Sequence, residues 1–409
     1  MDQKFLNKYA QVIVRVGVNI APGDVFVVAA DINARDLARE LVAEGYRAGA
    51  ERVVVLWRDE QVTKLDYTLG EGRKMIAPEH WEIVCREEMA ERKVAYANIL
   101  SSDPELLADV DPKLLAEAGR ASHKAFAKFS DATRNNHVRW CLFSVPSVAW
   151  AKKVRPDMPE EEAVEHLWGL IAHAMRLDVE DSVAAWQEHD EQLRQRSEHL
   201  NHLGLVKLHY TNSLGTDLWV ELPKDYVFAG GSELSSSGVR FSPNMPTEEV
   251  FGAPYKYGVE GRVVASMPLF HKGARIENFG LELHEGRIVK YWAEIGEDIL
   301  RGIIETDEGS HYLGEVALVP YDSPIQNLKT LFLQTLFDEN ASCHFAIGDA
   351  YPTCVKGGNE MSKEERAAAG LNDSFEHVDF MIGTADLKIE GYLADGSKVD
   401  VFVDGNFAF

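Results

Sequence analysis

Through the first half of the chain, continuous apolar runs alternate with amphipathic stretches. Asp24–Ala30 (DVFVVAA) follows a Pro-Gly turn and predicts a buried strand. Ala34–Ala48 places Leu37, Leu41, Val42 and Tyr46 at helical spacing, and Arg52–Trp57 (RVVVLW) returns to a strand run. Further helical patterns separate Ala95–Leu100 from Val138–Val145 (VRWCLFSV), both strand-like. Strands apolar at consecutive positions are buried on both faces. With helices between them, they predict a parallel, helix-covered sheet.

From Pro159 to about Leu203 the pattern predicts helix, with Ala163, Leu167, Leu170, Ile171 and Ala174 on one face. A long charged stretch with His189, His199 and His202 completes it. His199 and His202 are three apart and can share a metal on one helical face. Without a carboxylate beside them, a solvated connecting helix is the ordinary reading. After Gly204 short strands follow: Leu205–Tyr210, Asp217–Glu221, Gly261–Ser266, Arg287–Ala293, Leu387–Tyr392 and Val399–Val403. Turns such as EGR, DGS and DGN between them predict hairpins in an antiparallel or mixed sheet. The expected architecture is α/β: an N-terminal α/β domain with connecting helices over residues 1–200, and an α+β C-terminal domain over 201–409. A length of 409 residues agrees, at about 100–200 residues per domain.

Composition narrows the function. A parallel α/β sheet often binds nucleotides, but no GxGxxG follows the first strand and no GxxxxGK[ST] occurs. The formal net charge of −24 repels phosphate backbones and anionic headgroups, so neither nucleic acid nor membrane is an expected partner. Four cysteines with no CxxC pair fit a reducing compartment. The opening MDQKFLNKYAQVIVRVGVNIAPGD carries charge throughout and lacks the apolar core of a signal peptide. The expected location is cytoplasmic.

The second half holds the candidate chemistry, in segments that read as loops or strand ends. Asn244–Phe251 (NMPTEEVF) presents adjacent carboxylates, Glu248 and Glu249, which point to opposite faces of an extended chain. One of them can reach a site. Glu315 stands between a glycine and an apolar run in HYLGEVALVP; it is either a buried, paired carboxylate or the solvent face of an alternating strand. His344 in ENASCHFAIGDAYP is a ligand or a satisfied core histidine, and Tyr351 follows seven residues later. Cys343 diverges from His344 on an extended chain, which argues against a thiol nucleophile. His377 and Asp379 in FEHVDFMIG share a strand face, as a divalent-metal pair or a solvent-facing ion pair. Together these give three carboxylates and two imidazoles. Mixed N/O ligation suits zinc, cobalt or manganese, and five ligands suit two ions about 3.5–4 Å apart with one carboxylate bridging. HExxH is absent, which excludes a zincin-type protease. Ser235, Ser236 and Ser237 lack a GxSxG elbow and read as a flexible loop, and Arg240 as a surface residue near the metal motif.

Taken in order, NMPTEEVF, LGEVALVP, CHFAIGDAY and EHVDF resemble the M29 metallopeptidases, a family of thermophilic aminopeptidases. The resemblance runs from the N-terminal YA-x-x-I-V-R-V-G-V-N through VPSVAWAKKV to the closing DG-x-F. It implies metal ligands at Glu249, Glu315, His344, His377 and Asp379, and an active-site tyrosine at Tyr351. It also implies a C-terminal catalytic domain and a homodimer with enclosed active sites. The function it implies is release of N-terminal residues from peptides with a free N-terminus by a water activated between two divalent ions, zinc or cobalt, or else magnesium or manganese. Glu248 is a candidate general base or amine anchor. The alternatives are another metal-dependent amidohydrolase or dipeptidase on the same ligands, and a non-enzymatic metal- and ligand-binding protein.

Overall fold

A computed structural model describes residues 2–70, 77–101, 103, 105–271 and 274–409. The chain divides into two compact units, Met1–His189 with Ser232–Pro246, and Asp190–Gly231 with Thr247–Phe409. The sequence placed one boundary near residue 200. In the structure the division falls inside the helix Ser182–His202, and residues 232–246 return to the first unit. Backbone pairing explains the return: Leu142 N–H donates to the Pro243 carbonyl at 2.7 Å, and Met245 N–H to the Leu142 carbonyl at 2.9 Å.

The first unit holds four parallel strands, β1 (Val25–Asp31), β2 (Arg52–Arg58), β3 (Ala95–Leu100) and β4 (Arg139–Ser144), in the order β2-β1-β3-β4. All three pairings are parallel, as the apolar runs predicted. Gly45 shows how closely the helix Arg35–Arg47 lies on this sheet, since a Cβ there would come within 2.8 Å of the Phe26 ring. The predicted long helix is two, Glu160–Ala174 and Ser182–His202. The first opens with Glu160, Glu161 and Glu162, which complement its dipole, and ends before Arg176, whose φ of 51° is left-handed.

The second unit packs two sheets face to face. The larger has eight strands, in the order Arg287–Trp292, Gly280–His284, Val259–Val264, Asp217–Glu221, Leu205–Thr211, Lys388–Leu393, Lys398–Val403 and Asn406–Phe407. Six of these are the predicted hairpin strands, shifted by at most two residues; Gly280–His284 and Asn406–Phe407 were not predicted. The smaller sheet is β5 (Ala229–Gly230), β6 (Val250–Gly252), β7 (Leu313–Leu318), β8 (His344–Gly348) and β9 (His377–Met381), in the order β9-β8-β7-β6-β5. One face of it contributes Val250, Val316, Leu318, Phe345, Ile347, Val378 and Phe380 to a core shared with the larger sheet. Across that core the rings of Tyr210 and Phe345 lie 5.1 Å apart.

Candidate metal centre

Alternation along the smaller sheet places the candidate ligands together. Side chains alternate faces along a strand, so if Phe345, Val378 and Phe380 face the core, His344, His377 and Asp379 face away from it. Glu315 in β7 and Glu249, just before β6, join them. The segments that read as loops or strand ends are thus largely strands inside one antiparallel sheet, with Glu315 in the middle of β7. Register supplies space between the ligands: Ala346 lies opposite Asp379 on one side and Glu315 on the other. A methyl group there leaves room for an ion that a longer side chain would fill.

The donor atoms form two trios with one shared member. His344 Nε2 is 3.2 Å from Glu249 Oε2 and 3.5 Å from Glu315 Oε1. His377 Nε2 is 3.5 Å from Glu315 Oε2 and 3.3 Å from Asp379 Oδ1. Glu249, Glu315 and His344 each present a ligand atom within 4.8 Å of one another, as do Glu315, His377 and Asp379. The two oxygens of Glu315 therefore face different imidazoles.

The imidazoles are oriented by the backbone. His344 Nδ1–H donates to the Ser342 carbonyl at 3.0 Å, and His377 Nδ1–H to the Asp349 carbonyl at 2.8 Å. In the neutral ring this fixes the tautomer that leaves the Nε2 lone pair aimed at the carboxylates, as a metal ligand requires. Asp379 Oδ1 is buried without a hydrogen bond, a donor-free oxygen of the kind a cation satisfies. These residues fit divalent metal ions.

Electrostatics within the protein alone show the strain of this grouping. Burial raises the Glu315 carboxyl above its usual range, partly offset by His344. Burial pushes the His377 imidazole down, but Asp379 and Glu315 outweigh it and lift it to about 10. His344 behaves alike, raised by Glu249 and Glu315 against the effect of burial. Asp379 is lowered, because His377 and His344 overcome its burial.

Tyr351 stands at the edge of the group, its ring 5.3 Å from the His377 imidazole. Glu248 is buried; its backbone N–H donates to Asn340 Oδ1 at 2.7 Å, and its charge interacts with Arg196. Sequence reasoning missed Glu339, a buried carboxyl held well above its usual range by burial and by the charges of Asp379 and Glu249. It lies within ENASCHF, which was read only for His344, and a single glutamate before Asn-Ala-Ser leaves no periodic signal.

Other candidates separate from the centre. The His199 ring lies 4.0 Å from that of Phe409, tilted by 30°, and His202 Nδ1–H donates to the Glu198 carbonyl at 2.6 Å. Cys343 points away from the ligands, its thiol donating to the Val319 carbonyl at 3.2 Å while burial raises it to about 12. Ser235 and Ser237 hydrogen-bond each other at 3.0 Å in a tight turn.

The profile of the family "Thermophilic metalloprotease (M29)" matches residues 2–407. Aminopeptidase AmpS of Bacillus subtilis strain 168 is 46% identical over 404 residues, covering 99% of this chain and 98% of the relative. Aminopeptidase T of Thermus aquaticus is 36% identical over 402 residues, covering 98% of each. The solved structure of wild-type AmpT from Thermus thermophilus superposes with a TM-score of 0.93 at 34% identity, covering 100% of both chains. With the family profile spanning residues 2–407 and relatives and a solved structure matching along nearly the whole chain, the chain belongs to the M29 thermophilic metalloprotease family.

Proposed function

We propose that this chain is a metal-dependent aminopeptidase that releases N-terminal amino acids from peptides, using two divalent ions held around one shared carboxylate. The observation that carries this reading is Glu315, whose two oxygens face His344 and His377 separately. Glu249, Glu315 and His344 would hold one ion, and Glu315, His377 and Asp379 the other. The mixed N/O donor set favours zinc or cobalt, with manganese or magnesium as substitutes. Bound there, such ions supply Lewis acidity, lowering the pKa of water toward about 7 and polarising a carbonyl oxygen.

The protein's own groups do the rest. The Ser342 and Asp349 carbonyls hold both imidazoles in the ligating tautomer. The Tyr351 hydroxyl, beside His377, donates to the developing oxyanion. Glu248 and Glu339 are the buried carboxyls proposed to carry a proton or anchor the substrate's α-ammonium. An amine anchor within this acidic group is what restricts cleavage to the first peptide bond. We further propose a cytoplasmic homodimer. The family resemblance supports the dimer, the four cysteines are free thiols, and no helix among the described residues is long and apolar enough to cross a membrane.

The test is hydrolysis of Leu-p-nitroanilide, a free-amine peptide and its N-acetylated form by chelator-stripped protein given zinc, cobalt, manganese or magnesium. Metal-restored release of the first residue, with the acetylated peptide intact, is expected. Metal-dependent cleavage of the acetylated peptide would move the chain to another class of amidohydrolase.

A further inference from the structure

The metal centre has an open end. The side chains of His377 and Asp379 are 26% and 12% exposed, whereas that of His344 is 1% exposed. The ligand group is therefore reached by solvent on its His377 side. Two aromatic rings continue from that edge: Tyr351 lies edge-on to His377 at 5.3 Å, and Phe251 lies edge-on to Tyr351 at 5.9 Å. Both are half-buried, their inner sides packed on a small apolar cluster that includes Ala253, Ala350 and Leu371.

Phe251 also belongs to the ligand face by register. It follows Glu249 by two residues, so the two share a face. It lies opposite Ala317 in β7, which in turn lies opposite His344 in β8. Only the methyl group of Ala317 stands between them on that face. Phe251 has no charge to bring to the metals and is too exposed to be simple core.

We infer that Phe251, with the Tyr351 ring beside it, receives the side chain of the substrate's N-terminal residue and sets which residues are released fastest. The inference rests on the aminopeptidase reading of the metal centre. In such an enzyme the α-amine and the scissile carbonyl are both held at the ligand group, so the first side chain must project directly from it. An apolar surface at its open edge is the Phe251–Tyr351 pair, while Glu249, Glu315 and Asp379 surround the ligand atoms with negative charge. Large apolar side chains gain by covering the rings; acidic ones are repelled.

The experiment compares metal-loaded wild type with Phe251→Ala and Phe251→Leu on leucyl-, phenylalanyl- and alanyl-p-nitroanilide, with metal content measured alongside. Phe251→Ala should lower kcat/KM for the leucyl and phenylalanyl substrates about 10-fold or more relative to the alanyl one, mostly through KM, because a few buried methylenes discriminate on that scale. Phe251→Leu should recover most of the leucyl rate, and both variants should keep wild-type metal content. Equal losses on all three substrates, or an unchanged ratio, overturn the assignment. If Phe251→Ala does not fold, Phe251→Trp replaces it and should shift preference toward the alanyl substrate; an unshifted preference is equally fatal. A wild-type protein that releases nothing from any free-amine substrate sinks the aminopeptidase reading itself, and this inference with it.

Discussion

In the N-terminal unit, β1 to β4 form a parallel sheet in which β1 is buried at every position but Val25, and Asp31 is the one polar residue among those six. In the C-terminal unit, β7 to β9 are almost equally buried, yet each turns ionisable side chains to the face away from the core: Glu315 in β7, His344 in β8, and His377 and Asp379 in β9. Alternation ordinarily means that one face meets water. Here the second face is covered as well, so Glu315 and His344 hold charge and lone pairs away from solvent. Such a face is costly unless something compensates it. The first sheet spends its burial on stability; the second gives some of it up to group ionisable side chains.

The sharpest way to break this contrast is to remove the shared carboxylate. Glu315→Ala should abolish activity, exceeding the roughly 10–100-fold that loss of an outer partner of a ligand costs. Activity near wild type would remove Glu315 from the centre. A matched pair of substitutions then separates the sheets. Ala346→Leu in β8 fills the space between Asp379 and Glu315, while Ala97→Leu in β3 overfills an apolar position. Each should cost about 1–3 kcal/mol in denaturant titrations from overpacking. Only Ala346→Leu should also lose bound metal. Metal loss in both, or in neither, would mean the β8 alanine is ordinary core.

Tyr351→Phe should leave metal content intact and lower kcat by about 10²–10³, the scale of one oxyanion donor. If steady-state rates hold while metal is lost, the hydroxyl belongs to the metal shell instead.

How much of this was legible follows from the same contrast. The parallel sheet was readable because each strand is a local apolar run, and the hairpin strands because turn residues sit beside them. The site sheet joins segments near residues 230, 250, 315, 345 and 380, and no local pattern records that pairing. His377 and Asp379 were visible as a pair because both lie on one strand. Glu249, Glu315 and His344 each had an ordinary alternative, and the family resemblance, not spacing, singled them out. Glu339 and Phe251 were invisible because their surroundings come from distant strands. A single boundary near residue 200 has no place for residues 232–246, which join the first compact unit through pairing with Leu142 about a hundred positions away.

The smallest expected effect concerns Asp338, in the same unit but outside the ligand group. Burial raises its carboxyl to about 7 although the Phe332 and Gln334 N–H groups donate to it. Unfolded, it titrates near 3.9. The folded chain therefore binds more protons between about pH 4 and pH 7, so this group's contribution to stability falls as pH rises through that window and levels off above it. Asp338→Asn should flatten that slope in thermal melts of the metal-loaded protein; an unchanged slope would assign it to other groups.

The central claim is that one carboxylate serves two ions, and metal stoichiometry tests it most directly. Chelator-stripped wild type, titrated with zinc or cobalt in a calorimeter, should bind two ions per chain. Glu249→Ala leaves the trio of Glu315, His377 and Asp379, and Asp379→Ala leaves that of Glu249, Glu315 and His344, so each should bind one ion tightly. Glu315→Ala should bind neither tightly. Wild-type binding of a single ion, or two ions still held by Glu315→Ala, would contradict the account.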